Sequence, residues 1–100
     1  MRTKKRKPRD EEFRKQLTEE YDLPELLFMD DYDDCIVGVV ESFGGKQAVC
    51  YDFEAVIHAL RVREKMSEED ALEWWGYNMI GAYVGDHTPV FIRMISRRTG

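Results

Sequence analysis

The sequence predicts a small single-domain α+β protein: an antiparallel sheet, made of a hairpin plus a C-terminal strand, packed by two or three helices. Three observations carry that expectation. Two β-branched runs flank a double glycine, two apolar-periodic segments with capping residues at their starts come next, and a last β-branched run follows a proline. With 100 residues there is room for one domain, which buries about two thirds of its unfolded surface.

Residues 1–9, MRTKKRKPR, offer almost nothing to bury and are expected to form a flexible basic arm. DEEFRKQLTEEY has Asp10 as a cap, acids in the first turn, and Phe13, Leu17 and Tyr21 at every fourth position, the pattern of a short amphipathic helix. Leu23-Pro24 ends it, because proline disfavours helix in the residue before it. ELLFM is read as a brief strand.

CIVGVVESF and QAVCYD lie on either side of GGK, a hairpin signal. With Gly44 and Gly45 as the two turn residues, Cys50 faces Val39 and Tyr51 faces Gly38, where an aromatic ring covers the gap left by glycine. The same register holds Cys35 and Cys50 about 13 Å apart. A disulfide needs Cα atoms within about 7 Å, so both thiols are expected free, as in a reducing compartment. The competing reading of CIVGVVESF is an amphipathic helix through Ile36, Val39, Val40 and Phe43.

Asp52 can cap FEAVIHALRVREK, with Phe53, Val56, Ile57 and Leu60 on one face. Ser67, three residues before Asp70, resembles the capping box of a second helix, EEDALEWWGYNM, with Leu72, Trp75 and Met79 facing inward. A tight turn at Met66 joins the two. Gly81 and Gly85 break the helical pattern, and TPVFIRMI is the closing strand, starting at Pro89. The folded domain is expected over 10–96, with 97–100 as a basic tail.

The net charge of −5 hides a segregation. Arg2, Lys4, Lys5, Arg6, Lys7 and Arg9 precede the first acid; residues 10–92 set six cations against twenty acids, a net of −14; Arg93, Arg97 and Arg98 follow. An acidic body repels phosphate backbones, so nucleic-acid contact is expected only through the basic ends: the arm, at Lys4, Lys5, Arg6, Lys7 and Arg9, with Arg97 and Arg98 as a further contact. The N-terminal stretch lacks the apolar run of a secretory signal and no 18 apolar residues follow one another, so the expectation is a soluble, cytoplasmic protein with no membrane partner.

The densest chemistry is MDDYDD at residues 29–34, which could be a metal trap, an anionic contact surface or a solvated way into a strand. Counted as a calcium-binding loop from Asp31, it puts Cys35 at the fifth place, Ile36 where the glycine belongs and Ser42 where the bidentate glutamate belongs, so no metal or other cofactor is expected. Asp30, Asp31, Asp33 and Asp34 are instead candidate protein-binding residues, held in water at the lip of the hairpin. Trp74 joins them: it lies about 100° around the helix from Trp75, either packed under the first helix or the Tyr83 loop or half-exposed as an anchor for a partner.

His58, one turn from Glu54, reads as a surface histidine, His87 in GDHTP as exposed loop, and Asn78 as an amide bonding loop backbone near Gly85. HExxH, CxxC, GxSxG and GxxxxGK are all missing, so no catalytic residue is expected.

Asp30, Tyr32-Asp33-Asp34 with CIVGV, the VCYD step, and MSEEDALEWWGYNMIGAYVGDHTPVF together resemble a group of small uncharacterised proteins carried mainly by bacteriophages, over about residues 28–92. Its most specific part is YN followed by GAYVG and TP. The group carries no assigned activity, so no functional residue transfers; the basic arm and Arg-rich end depart from its pattern. The resemblance implies an accessory protein that binds a host or viral protein with a basic surface. Nucleic acid through the arm is the alternative, and self-pairing through a sheet edge or Trp74 is a further expectation.

Overall fold

The computed structural model describes residues 8–22 and 25–95, with Pro8 and Arg9 as backbone only. Helix α1 spans Pro8–Glu20. It opens two residues before Asp10, because proline suits the first helical position, where no N–H is needed; Asp10 therefore sits in the first turn and is not the cap. Its stripe is poorly seated: Phe13 and Tyr21 are 36% and 38% exposed. Residues 25–29 form no strand. Leu26 is buried, and the Met29 N–H donates to the Tyr51 hydroxyl at 2.7 Å, so this segment is held by side chains instead of a ladder.

Strands β1 (Ile36–Ser42) and β2 (Lys46–Asp52) form the antiparallel hairpin, and the helical alternative for this stretch is excluded. Its register differs from expectation. Phe43 joins Gly44 and Gly45 in a three-residue loop, with φ 80° and 71° at the two glycines, so Ser42 pairs with Lys46, Val39 with Val49 and Gly38 with Cys50. Tyr51 pairs with Ile36, and the irregularity between Ile36 and Gly38 leaves Val37 as a bulged residue. The bulge lets Ile36 and Val39, three apart, both reach the core.

Helix α2 (Phe53–Arg63) starts where the Asp52 carboxylate accepts the Glu54 and Ala55 N–H groups at 3.0 and 3.4 Å. Helix α3 (Glu68–Asn78) starts where Ser67 Oγ accepts the Asp70 N–H at 3.1 Å. Strand β3 (Val90–Ile92) then pairs with β2, Cys50 beside Val90 and Tyr51 beside Phe91, and it runs parallel. The α+β class stands, but the sheet, ordered β1-β2-β3, is mixed. The reason is the 53–89 connection: a crossover of two helices brings the chain back to the end from which β2 set out.

Tyr51, Leu60, Val49 and Val56 are the largest fully buried side chains. Trp75 packs edge-on against Phe53 at 4.7 Å and Phe91 at 5.5 Å, tying α3 to α2 and β3. Leu72, expected inward, is 39% exposed, and the neighbouring Ala71 takes the buried place. Among the described residues no helix is long and apolar enough to cross a membrane.

The Tyr51 hydroxyl is the acceptor that satisfies the Met29 amide, so Tyr51→Phe strands a part-buried donor. A loss of about 1–3 kcal/mol is expected in urea unfolding with an unchanged slope.

Candidate protein-binding cleft

Two arginines divide the acid cluster. Arg14, on α1, places Nε and Nη2 each 2.6 Å from one oxygen of Asp33, and its Nη2 donates again to Met29 O at 3.2 Å. The guanidinium also lies 4.7 Å over the Phe28 ring. The Asp33 side chain is 4% exposed, so it is turned inward and is not held in water at the lip of the hairpin. The physical reason is this fork: two parallel charge-assisted bonds satisfy the carboxylate where solvent cannot. Hydrogen bonding to Asp33 raises the Arg14 pKa against the opposing effect of burial, so the guanidinium stays charged.

Arg63, at the end of α2, donates to the Asp34 carboxylate and to the Asp31 carbonyl, with its guanidinium 5.7 Å over the Tyr32 ring. Asp31 sits at φ 75°, a left-handed conformation that aspartate tolerates better than most residues. The arginine thus fixes the Asp31 backbone. The Asp30 and Asp34 side chains are 82% and 61% exposed.

A cleft of about 690 Å³ opens where this loop meets the α2–α3 turn. Asp30, Asp31 and Glu64 supply its charge; Met66, Trp74 and Met79 supply apolar wall. Lys65 at φ 58° makes the sharp turn that brings Glu64 and Met66 to it. Trp74 is 44% exposed, so it is not covered by α1 or the Tyr83 loop. Of the residues singled out in the sequence, Asp30, Asp31, Trp74 and Asn78 converge here; Asp33 does not, and Asp34 lines a separate depression with Cys35, Asp52 and His58. Lys4, Lys5, Arg6 and Lys7 lie outside the described residues, as does the side chain of Arg9. Arg14, Arg63, Glu64 and Met66 were not singled out; only helical spacing within one element was legible, and each of these acts across elements.

Among the described residues no group of three or more His, Cys, Asp or Glu is arranged to hold a metal. Both cysteines are free and buried. Burial, helped by Asp34, pushes the Cys35 thiol from its usual 9.0 up to about 11, and burial with Asp52 raises Cys50, so neither is a ready nucleophile. His87 is half-buried, not loose: its Nδ1 lies 2.7 Å from Gln47 O and its Nε2 3.7 Å from Glu25. The strand register carried back from Cys50 and Val90 sets position 87 beside Gln47, so the ring serves a β2 carbonyl that β3 is too short to reach. Asn78 is exposed and donates to Trp74 O of its own helix at 3.2 Å; it does not pin the Gly85 loop. His58 is exposed on α2.

No protein-family model, no curated protein and no solved structure matches the chain.

Two outcomes test this arrangement. Arg14→Ala leaves a buried carboxylate unpaired and is expected to cost about 3–5 kcal/mol in urea unfolding, while the double change Arg14→Met, Asp33→Leu recovers most of that. A cycle in which the double variant is as unstable as Arg14→Ala contradicts the pairing. The raised Cys35 pKa favours the fold below about pH 9 and loses that contribution as pH climbs through about 11. Iodoacetamide at about pH 8 should therefore spare both thiols in native protein and modify both in urea; prompt native alkylation would disprove their burial.

Proposed function

We propose that the protein is a small acidic accessory protein of the phage type, acting in the host cytoplasm as a non-enzymatic protein-interaction module. Its cleft takes a segment of a host or viral protein that presents Lys or Arg next to an apolar side chain. One observation carries the reading: Asp30, Asp31 and Trp74, features of different kinds from segments more than forty residues apart, line the same depression. Carboxylates around a half-exposed tryptophan suit a cation with an apolar neighbour, the acids speeding encounter and the ring supplying the desolvated contact. The net −14 between residues 10 and 92 extends that attraction beyond the cleft and opposes nucleic acid, which leaves the basic ends of the chain as the basis for a nucleic-acid reading.

The test is affinity capture from host lysate with the full chain, read by mass spectrometry against the variant Asp30→Asn, Asp31→Asn, Trp74→Ala. A genuine cleft partner is expected to fall at least about tenfold in the variant and on raising salt from about 0.05 to 0.5 M. Recovery that the variant leaves unaltered, or that depends on residues 1–9 and vanishes with nuclease, removes the reading.

A further inference from the structure

Val39, Val49, Tyr51 and Phe91 point to the core that α2 and α3 close. Alternation then turns Gly38, Val40, Ala48, Cys50, Val90 and Ile92 to the opposite face of the sheet, away from those helices. That outer face is apolar; Ala48 and Cys50 at its centre are buried, and it is open at its margins. Val40 and Ile92 are 39% and 41% exposed, and on the adjoining loop Ile80 and Tyr83 are 52% and 75% exposed. A Cβ built on Gly38 meets nothing within 4 Å. A groove runs between Val40 and Ala48 on the sheet and Ile80 and Tyr83 on the loop, and among the described residues its charged lining is Lys46 and Asp86, 3.8 Å apart.

We propose that this outer face is the contact surface of a homodimer, with a second copy of the chain as its occupant. Charge decides the occupant. The cleft described above is acidic, but here one cation offsets one anion, so a basic partner gains nothing and neither does an acidic one. A second copy is matched: in a two-fold contact each Lys46 meets the Asp86 of the other copy, while apolar side chains close over the dent at Gly38. This is also a part of the surface where two acidic molecules can meet without opposing carboxylates. The outer edge of β1, seven residues without proline or lysine, borders the same face and pairs with no other strand among the described residues.

The proposal fixes the sign of the salt response. Two copies of net charge −5 repel at long range, so screening strengthens their association, whereas cleft binding to a cationic partner weakens in salt. Sedimentation velocity on the full chain is expected to show a monomer–dimer equilibrium whose Kd tightens between about 0.05 and 0.5 M NaCl. Gly38→Lys and Val40→Lys should each weaken it at least about tenfold with unchanged circular dichroism and urea unfolding. Both positions have room for a longer side chain, and the added lysine lowers the net negative charge, so a loss reports the contact itself and not overall repulsion. A monomer at every concentration and salt overturns the proposal, as does a dimer that neither substitution weakens or that salt dissociates.

Discussion

A carboxylate buried as deeply as that of Asp33 has to be neutralised, and the need for Arg14 beside it decides where α1 lies. Leaving such a charge unpaired costs several kcal/mol, more than the exposed stripe of α1 returns through Phe13 and Tyr21. A buried ion pair adds little net stability over an apolar pair of the same shape, so its effect is on specificity. Only one rotation of α1 directs the guanidinium fork at Asp33 while its spare N–H reaches Met29 O. The constraint propagates: with residue 29 held, its amide meets the Tyr51 hydroxyl, and Tyr51 sits at the centre of the sheet.

Arg63 completes the division. One arginine draws Asp33 inward and lies 3.6 Å from Asp30, and the other holds Asp34 and the Asp31 carbonyl from outside, so three of the four aspartates meet a guanidinium. The left-handed turn at Asp31 follows from that partition, and it is what directs this loop to the cleft shared with Trp74.

The parts of this structure that were legible in the sequence are those fixed within a few residues. The Asp52 and Ser67 caps, the Gly44-Gly45 turn and the inward Trp75 are set by local spacing and hydrogen bonding. What escaped depends on distant partners. The hairpin register slipped by one because the loop recruited Phe43, a hydrophobic residue that looked like strand and is fully exposed. The direction of β3 depends on how α2 and α3 carry the chain, and nothing in TPVFIRMI itself encodes it. Arg14 follows the apolar Phe13 in a helix with ordinary periodicity, and its partner is nineteen residues away. The cleft was half legible: the acids and Trp74 stood out as unusual, but their meeting depends on the α2–α3 turn.

The cleft and the outer sheet face use different layers of the molecule. The cleft is built from the loop ahead of β1 and from α2 and α3, which close one side of the sheet; Val40, Ala48 and Ile92 belong to the other. Occupying one therefore does not block the other. A two-fold dimer through the sheet would carry two clefts on one rigid body, and a partner with repeated cationic segments would bind the second intramolecularly, at an effective concentration set by the spacing between sites. In that assembly salt would act on the two contacts in opposite directions, weakening each cleft while tightening the dimer, so avidity should peak at intermediate ionic strength and not at the lowest. A single ionic surface would instead decline monotonically.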